Sequence, residues 1–116
     1  MGADYVEYET GKYAKAVYIK GEDVAELTPF AYESVTVAAT AIGLSAGTYS
    51  NATRAEMTLE TAQIRIRSDG TDPTASEGRI VEVGDTIVLT SAAQIIGFEA
   101  IRTGSTSGVL KIEYLR

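Results

Sequence analysis

Between residues 56 and 67 apolar and polar side chains take turns along the chain. Met57 and Leu59 point one way and Thr58 and Glu60 the other; Ile64 and Ile66 then alternate with Arg65 and Arg67. A period of two in aliphatic and β-branched residues predicts strands with one face in a core. The two runs are out of phase, because Leu59 to Ile64 is an odd step. A turn or bulge near Thr61 and Ala62 therefore has to absorb a residue. Residues 68–74, Ser-Asp-Gly-Thr-Asp-Pro-Thr, predict a chain reversal, since Asp69-Gly70 tolerates positive φ and Pro73 cannot donate to a ladder. Polar residues 75–78 follow, then a strand at 80–83, a turn at Gly84-Asp85, and a strand at 86–90 with Ile87 and Leu89 on one face.

Residues 92–101 admit two readings. As a helix the segment carries Gly97 in its middle, at about 1 kcal/mol relative to Ala. As a strand it places Ile96, Phe98 and Ala100 on one face, and this is the favoured expectation. Residues 104–108 form a loop. Leu110, Ile112 and Tyr114 then alternate with Lys111 and Glu113 in a last strand, of the kind normally paired inside a sheet. Upstream, the Val-, Thr- and Ala-rich residues 34–44 read as one strand bending near Gly43, and 46–54 as a polar connection. Short strands separated by Gly and Asp turns predict an all-β fold, an antiparallel β-sandwich of immunoglobulin-like or jelly-roll-like type. The sandwich is expected over residues 34–116.

Residues 1–33 differ in character. They hold Tyr5, Tyr8, Tyr13, Tyr18 and Tyr32 of the seven tyrosines in the chain. Residues 13–20 read as a strand, with Gly21-Glu22-Asp23 as its turn. The segment is expected to be an N-terminal extension or extra hairpin with aromatic edges. Its sharper reading is an arm that docks on a partner, because tyrosine offers large contact area at small entropic cost. Stacking on carbohydrate is a third use.

Composition narrows the chemistry. The chain has 116 residues, 45% of them hydrophobic and 22% charged, which is the range of a folded domain able to bury its own core. No apolar run approaches a membrane span, residues 1–15 show no signal peptide, and Val6 stands where a myristoylation motif wants Ser or Thr. Cysteine and histidine are both absent. That excludes disulfides, thiolate and imidazole metal sites, and Ser-His or Cys-His nucleophilic pairs. A net charge of −6 argues against wrapping nucleic acid.

The remaining candidates each have a plainer competitor. Asp69, Asp72 and Glu77 cluster around a turn as Ca²⁺ ligands do, but without EF-hand spacing; a solvated turn in which Asp69 caps its own backbone is favoured, and no metal is expected. Glu56, Glu60, Asp85, Glu99 and Glu113 offer no pair distinguished for glycoside hydrolysis. Residues 104–108 lack the Lys and helix of a phosphate loop. Arg65, Arg67, Arg79 and Arg102 read either as a basic patch for partner or subunit contacts or, preferably, as cross-strand partners of Glu60, Glu82 and Glu99.

With these motifs in place, the chain resembles a family of small virion structural proteins of tailed bacteriophages and prophages. The likeness runs from about residue 35 to the end. It is carried by Ala-Thr-Ala-Ile-Gly-Leu at 39–44, by residues 60–74, and by Gly84-Asp85-Thr86-Ile87. The Ile-x-x-Phe-x-Ala-Ile-Arg segment at 95–102 and the closing strand at 110–116 complete it. A strand followed by Asp-Gly-Thr-Asp-Pro-Thr, here at 69–74, also resembles part of the immunoglobulin-like domain at the C-termini of some chitobiases and surface carbohydrate enzymes, an accessory module. The first resemblance implies a β-sandwich that binds rather than catalyses, with no cofactor. It implies a capsid decoration or cement protein on the virion surface, made in the host cytoplasm. Expected partners are the major capsid protein or other virion proteins and further copies of the chain, not nucleic acid or membrane. A neck, tail or fibre component, or a glycan- or host-surface-binding module, is the alternative. The expected contact residues are Tyr5, Tyr8, Tyr13, Tyr18, Arg65 and Arg67.

Overall fold

The structure is a computed structural model that describes residues 26–116. Its strands are β1 (Pro29–Val37), β2 (Ile42–Gly43), β3 (Arg54–Glu60), β4 (Ile64–Arg67), β5 (Arg79–Val81), β6 (Thr86–Leu89), β7 (Glu99–Arg102) and β8 (Gly108–Leu115). Two short helices lie between them, α1 (Ala46–Tyr49) and α2 (Ala92–Gly97). The strands form two four-stranded antiparallel sheets, ordered β1-β8-β3-β6 and β2-β7-β4-β5. First pairs with last, second with seventh, third with sixth, and fourth with fifth. This is a long hairpin rolled up on itself, the jelly-roll topology. It decides between the two sandwich types expected.

The alternation seen in the sequence is the alternation between core and solvent. Met57 and Leu59 of β3, Leu110, Ile112 and Tyr114 of β8, and Val35 and Val37 of β1 line the inner face of one sheet. Ile64 and Ile66 of β4, Val81 of β5 and Ala100 of β7 line the other. The odd step between Leu59 and Ile64 is where the chain leaves one sheet for the other. Thr61, at φ +83°, makes that corner, and a β-branched residue there is held in a strained region. Gly108 begins β8 against the same corner: an added Cβ would lie 2.7 Å from Ile64 Cγ2 and 2.8 Å from the Ala62 carbonyl.

Four elements depart from expectation. Residues 92–101 are a helix followed by a strand, not one strand. Ser91 caps α2 by accepting from the Gln94 amide at 3.2 Å, and the Gln94 side chain accepts from the Thr90 amide at 2.7 Å. That is close kin to a Ser-x-x-Gln capping box. Gly97 ends the helix because a Cβ there would lie 2.7 Å from the Ser68 carbonyl oxygen. Residues 34–44 are two strands in different sheets, parted at the small residues Ala38, Ala39, Thr40 and Ala41. β1 starts at Pro29, five positions before the expected sandwich boundary at 34, and Tyr32 lies on it. Residues 46–54 include α1, whose Tyr49 ring meets Tyr114 at 6.1 Å between centroids.

Candidate functional site

Tyr5, Tyr8, Tyr13 and Tyr18 lie outside the described residues. Arg65 and Arg67 are both engaged by hydrogen bonds within the chain. Both point out of the β2-β7-β4-β5 sheet, where Arg65 is in register with Ile101 and Ile80 and Arg67 with Glu99. Arg65 donates from Nε to the Ala75 carbonyl at 3.0 Å and from Nη1 to the Gly78 carbonyl at 2.8 Å. Arg67 forms a bidentate pair with Asp69, at 3.1 and 2.5 Å.

The expected cross-strand pairing with Glu60, Glu82 and Glu99 is therefore corrected. Among the described residues the ion pairs are Arg54–Glu56 and Arg67–Asp69, each between residues two apart. Glu82 instead accepts from Gln63 Nε2 at 3.0 and 3.1 Å. The four arginines do not share a face either. Arg79 and Arg102 are in register with the inward-facing Ile66 and Ile64, opposite in phase to Arg65 and Arg67.

The arginines build a stiff loop at 68–78. Asp69 Oδ1 accepts from the Thr71 amide at 3.2 Å, the self-capped turn favoured from sequence. Arg67, with help from that amide, lowers the Asp69 carboxyl to about 2. Thr74 Oγ1 accepts from the Ser76 and Glu77 amides, and the Thr74 and Glu77 backbones bond each other in both directions. Pro73 is buried beneath, and Gly78, at φ +134°, fits against its Cβ. The Gly70 amide donates to the Gly97 carbonyl at 3.1 Å, tying the loop to the end of α2. Asp69, Asp72 and Glu77 are not gathered: no group of three or more metal-ligating side chains occurs among the described residues.

Among the described residues a concave surface lies beside this loop. β5 and β6 are consecutive edge strands of opposite sheets, and the seam between them opens a hollow of about 290 Å³ reaching Ile66, Ile87 and Leu89. A second hollow, about 320 Å³, lies between β4 and the loop at Arg67, Asp69 and Gly78. Ile66, Ser68 and Arg79 line both, so the two are neighbours. Of the six large hydrophobic residues exposed among the described ones, Ile80 and Val88 line the seam, Val83 sits in its connecting turn and Ile96 on α2, which follows β6. Arg79 stands exposed between the hollows, with no ion pair among the described residues. The seam thus combines exposed Ile80 and Val88 with the Arg79 guanidinium, the Asp85 carboxylate, Thr86 and Gln94. The sequence carried a signal for this: Ile80 and Val88 are apolar at positions where the strand phase faces solvent.

Elsewhere, Glu33 projects inward from β1 and accepts from the Tyr114 hydroxyl at 2.5 Å and from the Ser45 amide at 3.1 Å. Burial, then this carboxylate, pushes the Tyr114 phenol far above its ordinary range. Glu99 is raised by burial and by the charge of Asp72. None of these groups lines either hollow. No helix among the described residues is long and apolar enough to cross a membrane. In comparisons with known proteins, the chain matches no family model, no curated protein and no solved structure.

Proposed function

We propose that the chain is a virion structural protein of a tailed bacteriophage or prophage, a decoration or cement protein that binds the major capsid protein. The observation that carries the reading is the seam between β5 and β6. It offers the exposed side chains of Ile80, Val88 and Arg79 around a concave surface that lies next to the Arg65-anchored loop. That loop belongs to residues 60–78, which overlap the longest stretch of the resemblance. A jelly roll is a frequent architecture of capsid domains, although fold alone does not assign function.

The mechanism is stabilisation by binding. A module that bridges neighbouring capsid subunits adds its binding free energy to the assembled shell and not to free subunits. Repetition over a symmetric shell makes the effect cumulative. Preformed surfaces lose little on binding, so a stiff loop and a fixed seam put more of the contact energy into affinity.

Quantitative mass spectrometry of purified particles tests this. Copies in numbers comparable to the major capsid protein support decoration. A few copies per particle move the protein to the neck, tail or fibre, and absence from particles refutes a virion role. Arg79→Glu and Ile96→Asp, both on exposed positions, should fold normally and fail to incorporate.

A further inference from the structure

We propose that Asp69-Gly70 is a site of spontaneous isomerisation to isoaspartate that the fold holds in check, with Arg67 and the end of α2 as its lock. It is the one Asp-Gly pair in the chain, which has no Asn-Gly pair. The reaction is intramolecular. The Gly70 amide nitrogen attacks Cγ of the protonated Asp69 carboxyl. A new N–Cγ bond closes a succinimide ring, and the carboxyl OH departs with the amide proton as water. Water then adds back at either imide carbonyl. Breaking the bond from nitrogen to the main-chain carbonyl carbon leaves Gly70 attached through Cγ, which is isoaspartate. Breaking the bond to Cγ restores aspartate. A Cβ on the residue after Asp hinders the attack, and glycine has none.

Asp69 and Gly70 are both exposed, so burial does not protect them. Their bonds do. The Gly70 N–H donates to the Gly97 carbonyl at 3.1 Å, and an added Cβ on Gly97 would lie 3.0 Å from the Gly70 nitrogen. The nucleophile is therefore pinned against α2 and cannot swing toward Cγ without breaking that bond. On the other side, Arg67 donates from Nε to Asp69 Oδ1 at 3.1 Å and from Nη2 to Oδ2 at 2.5 Å, while the Thr71 amide donates to Oδ1 at 3.2 Å. A two-pronged pair fixes the plane of the carboxylate, and with it the position of Cγ. The same bonds favour the ionised carboxylate, which has no OH to lose. With the carboxyl at about 2 in place of its ordinary 3.8, the protonated form at neutral pH is roughly sixtyfold rarer. Conversion adds a methylene to the main chain and replaces the β-carboxylate by an α-carboxylate, so the grip on Arg67 and on the Thr71 amide is lost. Arg67 and Asp69 both line the second hollow, so the surface beside the seam changes once the turn has isomerised.

Incubation of the full chain at neutral pH over several weeks tests this, with peptide mapping by electron-transfer fragmentation to tell isoaspartate from aspartate. The folded wild type should convert at Asp69 at least about tenfold more slowly than the same chain unfolded in guanidinium chloride. Arg67→Met, folded by circular dichroism, should convert about tenfold faster than the wild type. Arg67→Lys, which keeps the charge but not the fork, should fall between them, and it carries the same decision if Arg67→Met does not fold. Ile112→Val, which weakens the core away from the turn, should convert like the wild type. Conversion in the folded wild type as fast as in the unfolded chain overturns the inference. So does a folded Arg67 variant that converts no faster than the wild type, or an equal acceleration in Ile112→Val.

Discussion

Gly97→Ala separates two opposed expectations about α2. Helix propensity alone says that alanine should stabilise a helical position by up to about 1 kcal/mol. The packing says the reverse. A Cβ on Gly97 would lie 2.7 Å from the Ser68 carbonyl oxygen, 3.0 Å from the Gly70 amide nitrogen and 3.2 Å from the Ser68 carbonyl carbon. All three are backbone atoms, so no side chain can rotate away. The only relief is for the end of α2 and the 68–70 turn to part, and that stretches the Gly70 amide to Gly97 carbonyl bond, now 3.1 Å. Overpacking of this kind costs about 1–3 kcal/mol and a lost hydrogen bond about 0.5–1.5 kcal/mol. After the propensity gain, the net expectation is a loss of about 1–3 kcal/mol, or a fall in Tm of roughly 5–20 °C for a domain of this size.

Urea denaturation followed by far-ultraviolet circular dichroism reads this directly, as a lower midpoint with an unchanged slope. Gly47→Ala is the control. Gly47 also lies in a helix, α1, but a Cβ there meets nothing within 4 Å, so the variant should be neutral or gain up to about 1 kcal/mol. If Gly97→Ala is as stable as the wild type, the close approach of α2 to the 68–70 turn is wrong, and with it the account of why the helix ends there.

Tyr114→Phe keeps the ring against Tyr49 but leaves Glu33 without its hydroxyl donor; a hydrogen bond to a charged group predicts a loss of about 1.5–3 kcal/mol, read by denaturant titration. Because the folded-state pKa of Tyr114 is raised above its ordinary 10.0, its contribution is intact below that pH and declines as pH rises beyond it; Tyr114→Phe should flatten that alkaline loss. Arg65→Met removes the donors to the Ala75 and Gly78 carbonyls and should speed hydrogen exchange across 73–78 with little change in the β3 and β8 amides. Glu99→Gln should stabilise slightly at pH 7, by less than about 1 kcal/mol given solvent screening. Glu99 has a raised folded-state pKa, so folding is opposed once it ionises, and the advantage should vanish in thermal melts below its ordinary pKa of 4.5.

Where one face of a strand meets the core, the sequence carries the strand. β3, β4 and β8 alternate cleanly, and the corners at Thr61, Asp69-Gly70 and Gly84-Asp85 carry their own turn chemistry. The helix α2 was legible too, in Ser91-x-x-Gln94, but the signal lies at the start of the segment while the strand pattern of Ile96, Phe98 and Ala100 lies across its end. Tertiary contact settles such a conflict, because Gly97 is chosen for its approach to Ser68. The partners of the arginines were not legible. Carboxylates of opposite sign are visible in a sequence, whereas the Ala75 and Gly78 carbonyls that hold Arg65 exist only once the loop has closed. Nor does any local pattern announce that Pro29 will face Leu115, since pairing of distant segments is decided by the whole core.

The rolled topology has a further consequence for how such a module could bridge neighbours. Among the described strands of the sheet β1-β8-β3-β6 the two edges are β1 and β6, and β6 borders the seam with Arg79. Two strands lie between them, so the edges are about 14 Å apart at ordinary strand spacing. A contact on one edge leaves the other open, and the rigid sheet holds the two at fixed separation. Contacts on both edges would give one module two independent surfaces. Two weak contacts held at fixed spacing bind a repeating lattice far more tightly than either alone. The arrangement then makes a separable prediction. Arg79→Glu should weaken lattice binding through the seam while leaving hydrogen exchange of the β1 and β8 amides unchanged. Faster β1 exchange in Arg79→Glu would show that the two edges are not independent.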